Sequence, residues 1–332
     1  MHIATKFKTR GVYRAVISAC ALLGAAAPVF AEQPVDLGAV GTTGTGVVTA
    51  AENPASAIYQ APTQASLTAT QPQSIINQHY IQENASAGSN YTDIISIAPS
   101  VVSIDPNGPG MMETQSLTIR GFQDGQYNVT FDGIPWGDSN DFTHHSTSYF
   151  MAQDIGNIVV DRGPGDASNI GNATFGGTIA VSSKDPSSLA GITGFGSFGS
   201  WNTRLIGAEF DSGPMQNYGD AKAYISYKGF TSDGYLTDSA QRRQNLFFKI
   251  EKALADDMML TVVAMGNKLH QNVPYGSTLA QIQQYGHNYG LSSDPTSQDF
   301  YGYNYDNITS DFEYVGLKTH LGSWTVDNKL YT

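Results

Sequence analysis

The sequence predicts an α+β domain followed by the antiparallel strands of a transmembrane β-barrel. Three observations predict it. Only 14% of the 332 residues are Asp, Glu, Lys or Arg, against about 25% in an average soluble domain. Their place is taken by neutral polar residues and by 35 Gly, 18 Tyr and 15 Phe. The patterning then changes near residue 189, from short mixed elements to alternating segments of about ten residues. Finally, the chain opens with a secretory address. An 11% aromatic content is too rich for a disordered chain. After the first thirty residues no apolar run is long enough for a membrane helix.

Residues 1–31 form that address. Lys6, Lys8, Arg10 and Arg14 precede an apolar stretch from Ala15 to Phe30, and Val29-Phe30-Ala31 has the small-x-small form of a cleavage site. Cys20, the single cysteine, lies inside this leader. Cleavage therefore leaves a chain without disulfides, whose stability must come from packing. Removal of the four basic residues leaves 13 basic against 29 acidic residues, a balance of −16. That charge excludes an extended phosphate-binding surface, so no nucleic-acid partner is expected.

Residues 32–61 are poor in large apolar groups and rich in Gly, Thr, Ala and Pro, the composition of a flexible leash. Gly46-Val47-Val48-Thr49-Ala50 is a β-prone patch within it. It suits either a plain linker or a strand added to the edge of a partner's sheet. Residues 62–188 read as the α+β domain. Helical spacing is expected over Gln73–Ile81 and Tyr91–Ile97, with strands at Leu117–Arg120, Tyr127–Phe131, Ile158–Asp161 and Ile179–Val181. Asp132-Gly133-Ile134-Pro135 and Arg162-Gly163-Pro164-Gly165 are turn sequences.

Residues 189–332 supply seven candidate strands: 193–199, 203–210, 222–230, 245–252, 259–268, 311–319 and 324–331. Short connections alternate with longer ones, the longest spanning 271–310 and rich in Tyr, Gln, Asn and Asp. Long loops on one rim and short turns on the other suit an outer-membrane barrel, although a soluble β-sandwich also alternates.

Four fragments in order and spacing sharpen the reading: Leu117-Thr118-Ile119-Arg120-Gly121-Phe122, Asn128-Val129-Thr130-Phe131-Asp132-Gly133-Ile134-Pro135, Ile158-Val159-Val160-Asp161-Arg162-Gly163-Pro164-Gly165 and Phe175-Gly176-Gly177-Thr178-Ile179. Together they resemble the plug domain of a TonB-dependent outer-membrane receptor, over roughly residues 62–188. The resemblance implies a 22-stranded barrel filled by its plug. Twenty-two strands need at least ~220 residues before loops are counted, so a fragment or truncated product is expected here. It also implies energised import of a large scarce solute: an iron–siderophore or other iron chelate first, a saccharide or vitamin second. Alternatively, the chain is a non-transporting remnant.

The same resemblance assigns roles. Residues 46–50 become a candidate TonB box, pulled by a TonB-type inner-membrane protein, and the strands contact outer-membrane lipid. Arg120 and Arg162 match plug arginines that pair with glutamates on the barrel wall; buried charges of that kind must be paired. Ligand contact falls to the plug apices, with Asn107 and Met111 on one and Trp136, Asp141, Phe142, His144, His145 and Tyr149 on the other. Adjacent histidines in an extended segment point to opposite sides, which favours hydrogen bonding by His144 and His145 over shared metal ligation. No resident metal or cofactor is expected, and no enzymatic motif such as His-Glu-x-x-His or Gly-x-Ser-x-Gly is present.

Overall fold

The structure is a computed structural model that describes residues 63–66, 69–112, 117–138, 142–165 and 169–332. The leader, the leash and the 46–50 patch lie outside the described residues. The N-terminal unit is built on a five-stranded sheet in the order β1-β6-β7-β4-β5. Its strands are β1 (Gln73–Asn77), β4 (Asn128–Phe131), β5 (Ile134–Pro135), β6 (Ile155–Asp161) and β7 (Thr178–Ser183), while β2 (Val101–Val102) and β3 (Thr118–Ile119) pair separately. Pairing is antiparallel except between β4 and β7.

The helix expected over Gln73–Ile81 is corrected. Residues 73–77 form β1, paired with β6 from Gln73↔Asp161 to Asn77↔Asn157, and only then does helix α1 (Gln78–Asn84) begin. The β-branched pair Ile75-Ile76 favours the sheet. Asn77 starts the helix as its N-cap, its side chain accepting the Tyr80 amide at 2.8 Å. Helix α2 (Tyr91–Ile95) lies where the second helix was expected, started by a reciprocal Asn90/Asp93 capping box.

All seven strands anticipated beyond residue 189 are present. They are β8 (Ala190–Phe198), β9 (Arg204–Ser212), β10 (Lys222–Ser232), β11 (Gln241–Ala255), β12 (Met258–Asn272), β13 (Tyr305–Leu321) and β14 (Trp324–Tyr331). They form one antiparallel meander, each strand paired with its sequence neighbours. β11 and β12 run 15 residues and β13 17, beyond the roughly 9–11 needed to cross a bilayer. The excess carries them toward the rim that holds segment 273–304, within which helix α3 (Leu279–Tyr285) is capped by Thr278 and Gln281.

The two faces of this wall differ in kind. On β9, Leu205 is 3% exposed and its neighbour Ile206 61%. Ile192, Phe198, Val315 and Leu330 likewise point outward from the unit they enclose. An apolar outer face on an alternating meander is the pattern of lipid-facing strands. Inward, Tyr224, Phe247, Val263, Met265, Phe312 and Tyr314 join the core of the N-terminal unit in one cluster. At its centre Phe131 stacks on Phe150 at 3.5 Å between ring centroids, and Phe312 meets both rings edge-on at 5.6 Å. Among the described residues no helix is long and apolar enough to span a membrane.

Candidate functional site

Chemistry-bearing residues come together in three regions: the seam where the N-terminal unit meets the strand wall, and two clefts on that unit's surface. The seam is polar. Asp154, on a 3₁₀ turn (Ala152–Asp154) just before β6, lies 2.5 Å from Lys228 Nζ of β10, and both side chains are enclosed. Ser226 donates to Asp154 Oδ1 at 2.6 Å and Tyr224 at 3.4 Å. Lower on the wall, Tyr314 donates to Asp132 Oδ2 at 2.9 Å, and Lys249 meets Asp185 at 2.6 Å. Higher up, Asn267 donates to the Ser148 carbonyl, Asn245 to the Tyr149 carbonyl and Gln241 to the Gly110 carbonyl, each at 2.9–3.0 Å.

This seam places several residues named from sequence. Asn107 is 1% exposed. Its amide donates to the Ser239 carbonyl at 2.9 Å and accepts the Leu236 amide at 2.9 Å, clamping the 233–240 loop of the wall. Met111 is 4% exposed and clusters with Phe230 and Leu205. Neither reaches an open surface. Arg120 (φ 55°) donates to the Arg162 carbonyl, and Arg162 donates to Ser74 Oγ at 2.5 Å. Among the described residues no carboxylate pairs with either arginine.

The cleft, of about 300 Å³, is lined by Tyr127, Pro135, Trp136, Asp138, Phe142 and His144, with Asn128, Gly137, Asn172 and Ala173. Asp124 holds His144 from both ends, accepting the backbone amide at 2.7 Å and facing Nδ1 at 2.6 Å. Burial alone would raise the Asp124 pKa, but its bonds to His144 and the imidazole's charge carry it below the ordinary carboxylate value. His144 stacks on Tyr127 at 5.9 Å and meets Trp136 edge-on at 5.4 Å. Tyr149 backs Trp136 from 5.2 Å. His145 diverges from His144 and lies 3.5 Å from Asp138. Asp141 lies outside the described residues. Among those described, no three His, Cys, Asp or Glu side chains converge on a common point. The structure thus brings Trp136, Phe142, His144 and Tyr149 together, and separates them from Asn107, Met111, Arg120 and Arg162.

A second cleft, of about 260 Å³, holds Asp93 and Asp105 with Tyr80, Ser89 and Ser103. Burial, reinforced by Asp93's charge, pushes the Asp105 pKa up to about 8, and burial pushes Asp93 up to about 6. Sequence reasoning missed the Asp154–Lys228 pair. Its signal was available: Lys228, Arg243 and Lys249 share the inward alternation of Tyr224, Phe230 and Phe247.

Residues 65–178 match the sequence profile of the TonB-dependent Receptor Plug Domain. No curated protein sequence matches the chain. Among solved structures, the alcaligin outer membrane receptor FauA from Bordetella pertussis aligns with a TM-score of 0.58 at 16% identity, over 81% of this chain and 40% of its own. The ferric-catecholate import receptor Fiu from E. coli K12, in its closed form, aligns with a TM-score of 0.58 at 17% identity, over 79% and 36%. The ferripyoverdine receptor of the Pseudomonas aeruginosa outer membrane, bound to ferripyoverdine, gives 0.55 at 16%, over 79% and 33%. At these identities the likeness is one of fold. The chain spans 33–40% of the length of these structures.

Proposed function

Residues 65–178 match the TonB-dependent receptor plug domain, and on that premise we propose that the chain is the plug and front wall of an outer-membrane receptor that imports a ferric chelate. The observation that carries the reading is a single one. A seven-stranded antiparallel wall presents an apolar face outward and closes its inner face on a folded plug through buried polar contacts. Such a wall contacts lipid on one side, and a barrel wide enough for a bulky chelate would leak unless something filled it. The activity is transport rather than catalysis.

Each part then has a task. Residues 46–50 are the segment grasped by a TonB-type inner-membrane protein, with 32–61 as the leash. The cleft around Trp136, Phe142 and His144 supplies ring faces and polar edges, a composition suited to orienting a bulky solute. Arg120 and Arg162 are assigned to locking the plug against the wall through carboxylates other than those described.

The test is uptake of radioiron from a panel of ferric chelates by cells that have this receptor as their single route. Deleting residues 46–50 is expected to abolish uptake while chelate binding at the cell surface persists. Uptake of saccharides or vitamins, with none of any chelate, would replace the cargo assignment. Loss of surface binding along with uptake would remove the coupling role of 46–50.

A further inference from the structure

Arg243 is the bulkiest of the fully enclosed side chains among the described residues. Its Nε donates to Asn267 Oδ1 at 2.8 Å, while Nη1 and Nη2 are enclosed without an acceptor. The β10–β11 register sets Phe230 opposite Arg243 and Lys228 opposite Asn245. The two cations therefore project into the interior from neighbouring strands, one inward row apart. Against both, the plug sets one enclosed carboxylate, Asp154, already 2.5 Å from Lys228. Glu209 is engaged by Lys184, and Lys249 by Asp185 and Glu251. The positive excess is thus confined to Arg243 and Lys228. Gln241 Oε1 and Asn245 Oδ1, enclosed and without a partner, flank Arg243 on the same row. Water can fill the gaps around them in the resting seam without removing that excess.

Two enclosed cations sharing a single carboxylate are strongly unfavourable. Ionisable groups facing the interior of a membrane protein mark the path of what it moves. We propose that Arg243 and Lys228 form a cationic step on the inner wall, masked at rest by Asp154 and uncovered when the plug shifts, that receives the anionic oxygens of the passing cargo. The planar fork of Arg243 suits paired carboxylate or phenolate oxygens, and Lys228 adds a point charge. The inference rests on the import reading above and names the charge class of what is imported: an anionic solute.

The chain's single cysteine is Cys20, and with any cysteine in the rest of the full receptor replaced by serine, a thiol introduced into the wall is an unambiguous reporter. Asn245→Cys places it between the two cations. The full receptor, in intact cells with and without a protonophore, is treated with anionic or cationic methanethiosulfonate reagents of matched size. Neither reagent is expected to react at rest. In energised cells the anionic reagent is expected to react roughly ten-fold faster, the low end of electrostatic focusing in a charged cleft. Arg243→Gln in the same background should weaken that preference without slowing the cationic reagent, Lys228 opposite residue 245 retaining the remainder.

Equal rates in the parent, or a preference undiminished by Arg243→Gln, would overturn the step. So would an absence of labelling in energised cells, since the site would then never be uncovered. Ser226→Cys, close in size to the native side chain and next on the row to Lys228, gives the same comparison if Asn245→Cys does not assemble. Chelate uptake measured in parallel separates the two ideas. Uptake with charge-indifferent labelling sinks the step alone, and charge-selective labelling without chelate uptake sinks the cargo assignment alone.

Discussion

Asp154 and Lys228 hold plug and wall together as a pair whose members are both shut off from water. Removing one partner from such a pair leaves the other charge buried and uncompensated, at a cost of about 3–5 kcal/mol, whereas replacing both with neutral groups is often close to neutral. Asp154→Asn and Lys228→Met are therefore each expected to lower the midpoint of chaotrope-induced plug unfolding clearly. The double substitution should recover only part of the loss, because removing Asp154 also takes from Arg243 the one enclosed carboxylate the plug sets against it. An additive double mutant would show that the two side chains act separately. Asp105 behaves differently because burial favours its protonated form. Its folded pKa, raised from 3.8 to about 8, lets the native state hold a proton that the unfolded state has released. That contribution is complete below about pH 4 and is lost as the pH rises through 8. Melting temperatures of the plug should fall over that interval, and Asp105→Asn should flatten the dependence and raise stability most at its alkaline end.

At the scale of elements, the segment 105–111 shows how tightly the plug apex is fitted. Gly110 has φ 68°, a conformation that costs other residues on the order of 1–3 kcal/mol. An added Cβ would stand 1.7 Å from the Gly88 carbonyl oxygen. The Gly110 carbonyl also accepts from Gln241 of the wall at 2.9 Å. Gly110→Ala is thus expected to destabilise the plug by more than ~1 kcal/mol and to release 105–111 from β11, seen as new protease sensitivity there. Retained protection would mean that the apex tolerates both the clash and the turn. The β1–α1 junction carries a lesson about reading sequence. The spacing of Ile75, Ile76 and Ile81 fits a helix as well as a strand followed by a helix. What decided was Asn77 capping α1 and the pairing of β1 with β6, a partner some eighty residues away.

For the whole molecule, one aromatic cluster belongs to both plug and wall, so the two should not unfold independently. Phe312 of β13 sits edge-on to the Phe131–Phe150 stack, and truncating a buried Phe typically costs about 3–5 kcal/mol. Phe312→Ala should shift plug and wall transitions together in calorimetry. A shift of the wall transition alone would show two uncoupled units.

The seven strands, the alternation of their faces and the plug motifs were legible because each is local: period-two patterning and turn residues act within ten residues of chain. Trp136, Phe142, His144 and Tyr149 could be nominated together because they share one short segment. Tertiary structure alone decided that Asn107 and Met111, nominated as ligand contacts, are enclosed against the wall. It alone paired Asp154 with Lys228 and left the Arg243 fork without an acceptor. Those outcomes depend on which inward row of a strand meets which turn of the plug. That register is set by the packing of distant segments, and no local pattern encodes it.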